Sequence, residues 1–138
     1  MKLQILTDIK DCIDGYNPAF LDNEVLNIDV PDNSVSSILM MGSIESISYK
    51  SLDNLLNSVR RILRRNGKVV ISGIDVNCIS RDLINRIIDA KTYNEVVFGK
   101  RGIYDSKELC NKLSSLGLTI EKVTLKGSVY ELHASRSN

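Results

Sequence analysis

The chemistry open to this chain rests on a few scattered acids, one histidine, three thiols and a cluster of arginines. Glu45 follows the apolar run Val35-Ser36-Ser37-Ile38-Leu39-Met40-Met41 and Gly42. An acid just past a central strand stands where doubly wound sheets bind ligands; the alternative reading is a solvated charge at a helix start. Asp75 ends a second apolar run, Lys68–Ile74, and shares that sheet edge. Met40 and Met41 either line a pocket or fill the core, the commoner use of methionine. Arg60, Arg61, Arg64, Arg65 and Lys68 form a basic cluster. It suits a phosphate or an acidic partner, or else it is a solvated helix face favoured by the dipole at the helix C-terminus. His133 is the only histidine and reads as structural, with no acid or nucleophile expected beside it. A single histidine and three widely spaced cysteines, Cys12, Cys78 and Cys110, argue against a His/Cys metal site and for reduced thiols. Ser72 lacks the G-x-S-x-G elbow of hydrolases, and no phosphate-binding P-loop or H-E-x-x-H stretch occurs.

These residues sit in a chain of 138, enough for one domain over residues 1–138. With 43% hydrophobic and 25% charged residues the composition is ordinary for a globular protein. A net charge of +1 gives no reason to expect nucleic acid or an anionic membrane as a partner. No apolar run is long enough to span a bilayer, and residues 1–6 are too short and mixed for a signal peptide. A cytoplasmic protein is expected.

The elements that must position the candidates follow from periodicity. Residues 2–7 read as a strand, 9–23 as loop with at most one short extended piece, and Glu24–Ile28 as a second strand. Pro31-Asp32-Asn33-Ser34 is a turn, and Val35–Met41 suits a central strand. Leu52, Leu55, Leu56, Val59, Ile62 and Leu63 form one apolar stripe, so 51–65 reads as a helix ended by Asn66-Gly67, with Arg60, Arg61 and Arg64 in solvent. Lys68–Ile74 is then a buried strand, parallel to 35–41 through a right-handed crossover. A helix from Ser80 to Ala90 should bury Leu83, Ile84, Ile87 and Ile88. Another spans Asp105–Leu116, with Asp105 and Glu108 at capping-box spacing, Cys110 in its buried stripe and Gly117 past its end. Thr119–Leu125 and Ser128–Ser135 form a hairpin around Lys126-Gly127. The expected fold is α/β: parallel strands near 2–6, 24–28, 35–41 and 68–74, with an antiparallel pair at the end.

Val30-Pro31-Asp32-Asn33-Ser34-Val35, the strand after it and Ile44-Glu45-Ser46-Ile47 resemble the segment around the fourth strand of class I S-adenosylmethionine-dependent methyltransferases. Arg61-Ile62-Leu63-Arg64-Arg65-Asn66-Gly67 is similar to that family's R-V-L-K-P-G-G helix end. Ile103-Tyr104-Asp105 through Leu116-Gly117-Leu118 and the strand Tyr130–Arg136 resemble its late helix and last strand. The likeness covers roughly residues 24–136 and is nearest to short type-11-like members. It implies a trimmed Rossmann-like sheet and, if the chain is active, methyl transfer from S-adenosylmethionine to a small acceptor such as a sugar. Proximity and alignment supply most of what such a transfer needs.

The departures bear on the cofactor. The family's first strand ends in a G-x-G loop that lets backbone amides approach the ligand, and no two glycines here have that spacing. If 2–6 is the first strand, Leu6, Thr7 and Asp8 replace the glycine loop. If 2–8 is the second strand, Asp8 falls where the family's acidic ribose ligand sits. Gly42 and Ser46 stand where the family carries polar side chains. The resemblance therefore places a cofactor site at Leu6, Thr7, Asp8, Met41, Gly42 and Glu45, with weak or absent S-adenosylmethionine binding. It assigns no catalytic residue and no metal. The alternative function is a non-catalytic relative acting as a structural or interaction module. The helix that precedes the family's first strand has no counterpart here, so the uncovered surface should favour self-association, a homodimer being the simplest form.

Overall fold

A computed structural model describes residues 1–137, the side chain of Asn27 excepted. One seven-stranded sheet organises them. The strands are β1 (Lys2–Leu6), β2 (Asn17–Asp22), β3 (Val25–Asn27), β4 (Val35–Met41), β5 (Leu63–Ile74), β6 (Leu118–Lys126) and β7 (Val129–Arg136). Their order across the sheet is β3-β2-β1-β4-β5-β7-β6. Strands β2, β1, β4 and β5 are parallel; β3 is antiparallel at one edge and the β7–β6 hairpin at the other.

Two expectations change here. The strand near 24–28 is only Val25–Asn27 and runs antiparallel to β2. Asn23 and Glu24 both take left-handed backbone angles, φ 48° and 65°, which closes a two-residue hairpin in place of a crossover. The short extended piece within 9–23 is β2, a full parallel partner of β1.

The helices are α1 (Tyr49–Ile62), α2 (Val76–Ile84), α3 (Ala90–Val97) and α4 (Ser106–Ser115). Helix α1 begins two residues before the expected start and stops at Ile62. Leu63 already belongs to β5, and Asn66, left-handed at φ 64°, lies in a bulge and does not cap the helix. The expected stripe faces the core: Leu52, Leu55, Leu56, Val59 and Ile62 are buried beside Leu3, Ile5, Ile38, Met40, Val69 and Ile71. The single helix expected over 80–90 is replaced by α2 and α3. Asp75 starts α2 five residues early by accepting hydrogen bonds from the amides of Asn77 and Cys78. Arg86, left-handed at φ 58°, breaks the chain before α3. Ile84 and Ile87, expected to be buried, are 78% and 71% exposed. Helix α4 matches its expected span, with Asp105 as N-cap, but Glu108 takes the Tyr49 hydroxyl and does not complete a capping box. Cys110 is half-buried against the core.

Helices α1 and α4 pack on one face of the sheet. The other face carries Leu39, Val70, His133 and Lys122 in one row and Met41, Ser72, Glu131 and Thr124 in the next. Those residues are half-buried or exposed, and among the described residues no helical layer covers them. His133 bonds Glu131 within this face at 2.7 Å, a carboxylate neighbour not anticipated from the sequence. Residues 7–16 fold over the β1 part of the same face, where the Gln4 amide donates to Asp11 O and accepts from Ile13 N. The β2–β3 hairpin is tied to the start of α1 by Glu24, whose carboxylate takes the Ser48 amide and the hydroxyls of Ser48 and Ser51. Among the described residues no helix is long and apolar enough to cross a membrane.

Candidate functional site

Parallel sheets bind ligands beyond the carboxyl ends of their strands, where neighbouring connections diverge. Here that point lies between β1 and β4. Leu6, Thr7, Met41 and Gly42 line a cavity of about 240 Å³ there, together with Gln4, Asp11, Ser43 and Ser46. The first-strand register, with 2–6 as β1, is the one the fold adopts. Four of the six residues expected at a cofactor site thus meet at one place.

Asp8 and Glu45 do not join them at its wall. Asp8 caps a 3-10 turn, accepting from the Lys10 amide at 3.0 Å, and pairs with the Lys10 ammonium. Glu45 is 92% buried rather than solvated, since only 8% of its surface is exposed. Its Oε2 accepts the Ile74 amide at 3.0 Å and its Oε1 the Lys100 ammonium at 2.9 Å. The Glu45 carbonyl also takes the Arg101 amide.

Residues 42–45 therefore tie strand ends together. The Ser43 hydroxyl donates to the Ile5 carbonyl at 2.7 Å, a buried bond between the ends of β4 and β1. The Gly42 amide donates to Ser72 O at the end of β5. Gly42 itself is left-handed, φ 79°, which starts the 3-10 turn Ser43–Ser46 directly after β4.

Asp75 is equally committed. Its Oδ2 accepts the Ser106 amide and hydroxyl at 3.0 and 2.7 Å, joining the starts of α2 and α4. Burial raises its carboxyl pKa, but hydrogen bonds from Ser106, Cys78 and Asn77 outweigh that and hold it below the usual carboxylate range. Asp22 falls within the stretch 9–23 that the sequence marks as loop, and the structure makes it the last residue of β2. It stands at the carboxyl end of β2, the place the family resemblance gives to an acidic ribose ligand. The alternation Ala19-Phe20-Leu21-Asp22 was the available signal, masked by Pro18 and the polar residues around it.

The Tyr130 hydroxyl is buried beside Gly73 without a hydrogen-bond partner among the described residues. Burial, then the Glu45 and Asp75 carboxylates, push its pKa up. Removing an unsatisfied hydroxyl relieves its desolvation, so Tyr130→Phe should stabilise the fold by about 1 kcal/mol. A thermal melt of the variant falling below that of the parent would contradict this.

No protein-family model matches the chain, and no curated protein is detectably similar to it in sequence. Solved structures are similar in fold. A methyltransferase dependent on S-adenosylmethionine (SAM) from Aquifex aeolicus aligns over 78% of this chain and 49% of its own, at 18% identity and TM-score 0.53. Another from Mesorhizobium loti aligns over 88% and 70%, at 15% identity and TM-score 0.63. A third, from Archaeoglobus fulgidus, aligns over 93% and 71%, at 16% identity and TM-score 0.58. The chain has the Rossmann-like fold of class I SAM-dependent methyltransferases. It spans about half the length of the Aquifex protein.

Proposed function

We propose that this chain is a methyltransferase-fold protein whose cofactor crevice is closed, and that it works as a structural or interaction module. The Ser43–Ile5 hydrogen bond carries this reading, because it ties β1 to β4 where the crevice would open. Three features support it. The cavity beside that bond, about 240 Å³, is below the ~300–1,000 Å³ of small-molecule clefts. Leu6, Thr7 and Asp8 supply side chains in place of a glycine turn. Residues 7–16 are pinned across β1 through Gln4. The sheet face without a helical layer is the surface this module would use, including for self-association with a second copy.

The second reading is methyl transfer to a small acceptor. Asp22 at the end of β2 and the placement of Leu6, Thr7, Met41 and Gly42 around one cavity favour it. Titration calorimetry with SAM and S-adenosylhomocysteine separates the two. Under the first reading the dissociation constants are weaker than about 100 μM, as expected when roughly 3–4 kcal/mol is lost from a micromolar site. A value below about 10 μM would make methyl transfer the leading reading.

A further inference from the structure

Sheets built around parallel strands are normally covered on both faces. Here α1 and α4 cover one face, and the other presents an apolar strip across β4, β5 and β7. Leu39, Val70 and Ile74 are half-buried in that strip, while Met41 and Val129 are 47% and 44% exposed.

The strip lies between two ends of opposite charge. On its β1 side residues 7–16 form a ridge on the sheet, held through Gln4. The ridge carries three acids and one lysine. Asp8 takes that lysine, Lys10. Asp11 and Asp14 are exposed and have no cationic partner among the described residues. On the other side the edge strand β6 carries Lys122 and Lys126, on the same face as the strip. Both are exposed and have no acidic partner among the described residues. The acid of β6, Glu121, pairs with Lys68.

We propose that a second copy of this chain covers the strip, face to face, about a two-fold axis running along β5. The proposal rests on the interaction-module reading and names the partner. The order β1-β4-β5-β7-β6 puts β5 midway between the ridge and the edge strand. The axis therefore lays each ridge over β6 of the other copy, so that Asp11 and Asp14 approach Lys122 and Lys126 of the partner subunit. An axis across the strands would instead set ridge on ridge, acid against acid. With the axis along β5 the two apolar strips meet at the centre, at the ~10 Å spacing of packed sheets. The ridges bring Ile9 and Ile13, 58% and 48% exposed, to the same contact. His133 and Glu131 enter it already bonded to each other at 2.7 Å, so neither is buried unpaired.

The test is sedimentation equilibrium of the full chain. Subunits of 15.4 kDa should pair with a dissociation constant of about 10 μM or tighter. The K122E/K126E and D11K/D14K variants should each weaken pairing at least about tenfold, with unchanged circular dichroism. All four changes together should restore it. Within one copy the two ends stand four strand spacings apart, about 19 Å, beyond the ~10 Å screening length at 0.1 M salt, so contact between copies is what the rescue reports. The proposal is overturned by a monomer at about 100 μM chain, by a dimer that both variants leave intact, or by four changes that fail to restore pairing. Calorimetry with SAM on the same samples keeps the two readings apart. A monomer that binds no SAM overturns the dimer alone, and a dimer that binds SAM below about 10 μM overturns the closed-crevice module alone.

Discussion

An Asp75→Ala chain is expected to lose about 3–5 kcal/mol of folding free energy, much of what a domain of this size has to spare. The carboxylate is 3% exposed and accepts four hydrogen bonds from two helices. Loss of the α2 cap accounts for about 0.5–2 kcal/mol. The buried Ser106 amide and hydroxyl are left without an acceptor, at about 1–3 kcal/mol each. Urea denaturation measures the change, and a loss below about 1 kcal/mol would show that water or a neighbour replaces the carboxylate. Asp75→Asn should cost less, because one amide oxygen still accepts. The pH dependence has a defined sign. Asp75 is held below its ordinary value, and Glu24 is held down to about 2 by the Ser48 hydroxyl and amide, Arg101 and Ser51. Both contributions are fully present above the unfolded carboxylate pKa, ~4, and fade as the pH falls through the folded values. The parent should therefore lose stability on acidification more steeply than the Asp75→Ala variant.

The second large effect lies in the core. Leu56→Ala should cost about 2–5 kcal/mol, the range for a buried leucine whose cavity relaxes only in part. Leu56 is 1% exposed in the middle of the α1 stripe. Ile84→Ala is the matched control: that side chain is 78% exposed, so its loss should stay within about 0.5 kcal/mol. A Leu56 cost of only a few tenths would mean that α1 does not face the sheet.

Ile84 also marks the limit of what the residues alone reveal. Periodicity located α1 and α4 because each buries one apolar stripe against the sheet; β4 was legible from its near-continuous apolar run and the β6–β7 hairpin from the turn at Lys126-Gly127. Periodicity misplaced Ile84 and Ile87 because a stripe of four apolar residues says nothing about whether anything covers it. The cap that starts α2 depends on Ser106 fixing Asp75 from another helix, a tertiary fact. Strand β2 was hidden by Pro18, and β3 by a turn that places Asn23 and Glu24 in left-handed conformations. The candidate site was legible where it depends on strand ends: Leu6, Thr7, Met41 and Gly42 converge as the fold resemblance implies. Glu45 was not, because its direction is set by the Ile74 amide and Lys100, partners 29 and 55 residues away.

The placement of the last hairpin has a consequence for how the chain is made. Strand β5 reaches its outer neighbour only through β7, pairing Lys68 with Ser135 and Ile74 with Val129. While the chain emerges from the ribosome, β1, β4, α1 and β5 are complete long before β7 exists. For that interval the apolar stretch Val69-Val70-Ile71 borders an unpaired edge, open to the edge of any other nascent chain. The β6–β7 hairpin, local in sequence and able to form within microseconds once released, acts as the late cover that ends this exposure. The delay between synthesis of residues 63–74 and of residues 118–136 therefore sets how long each copy is at risk of joining another.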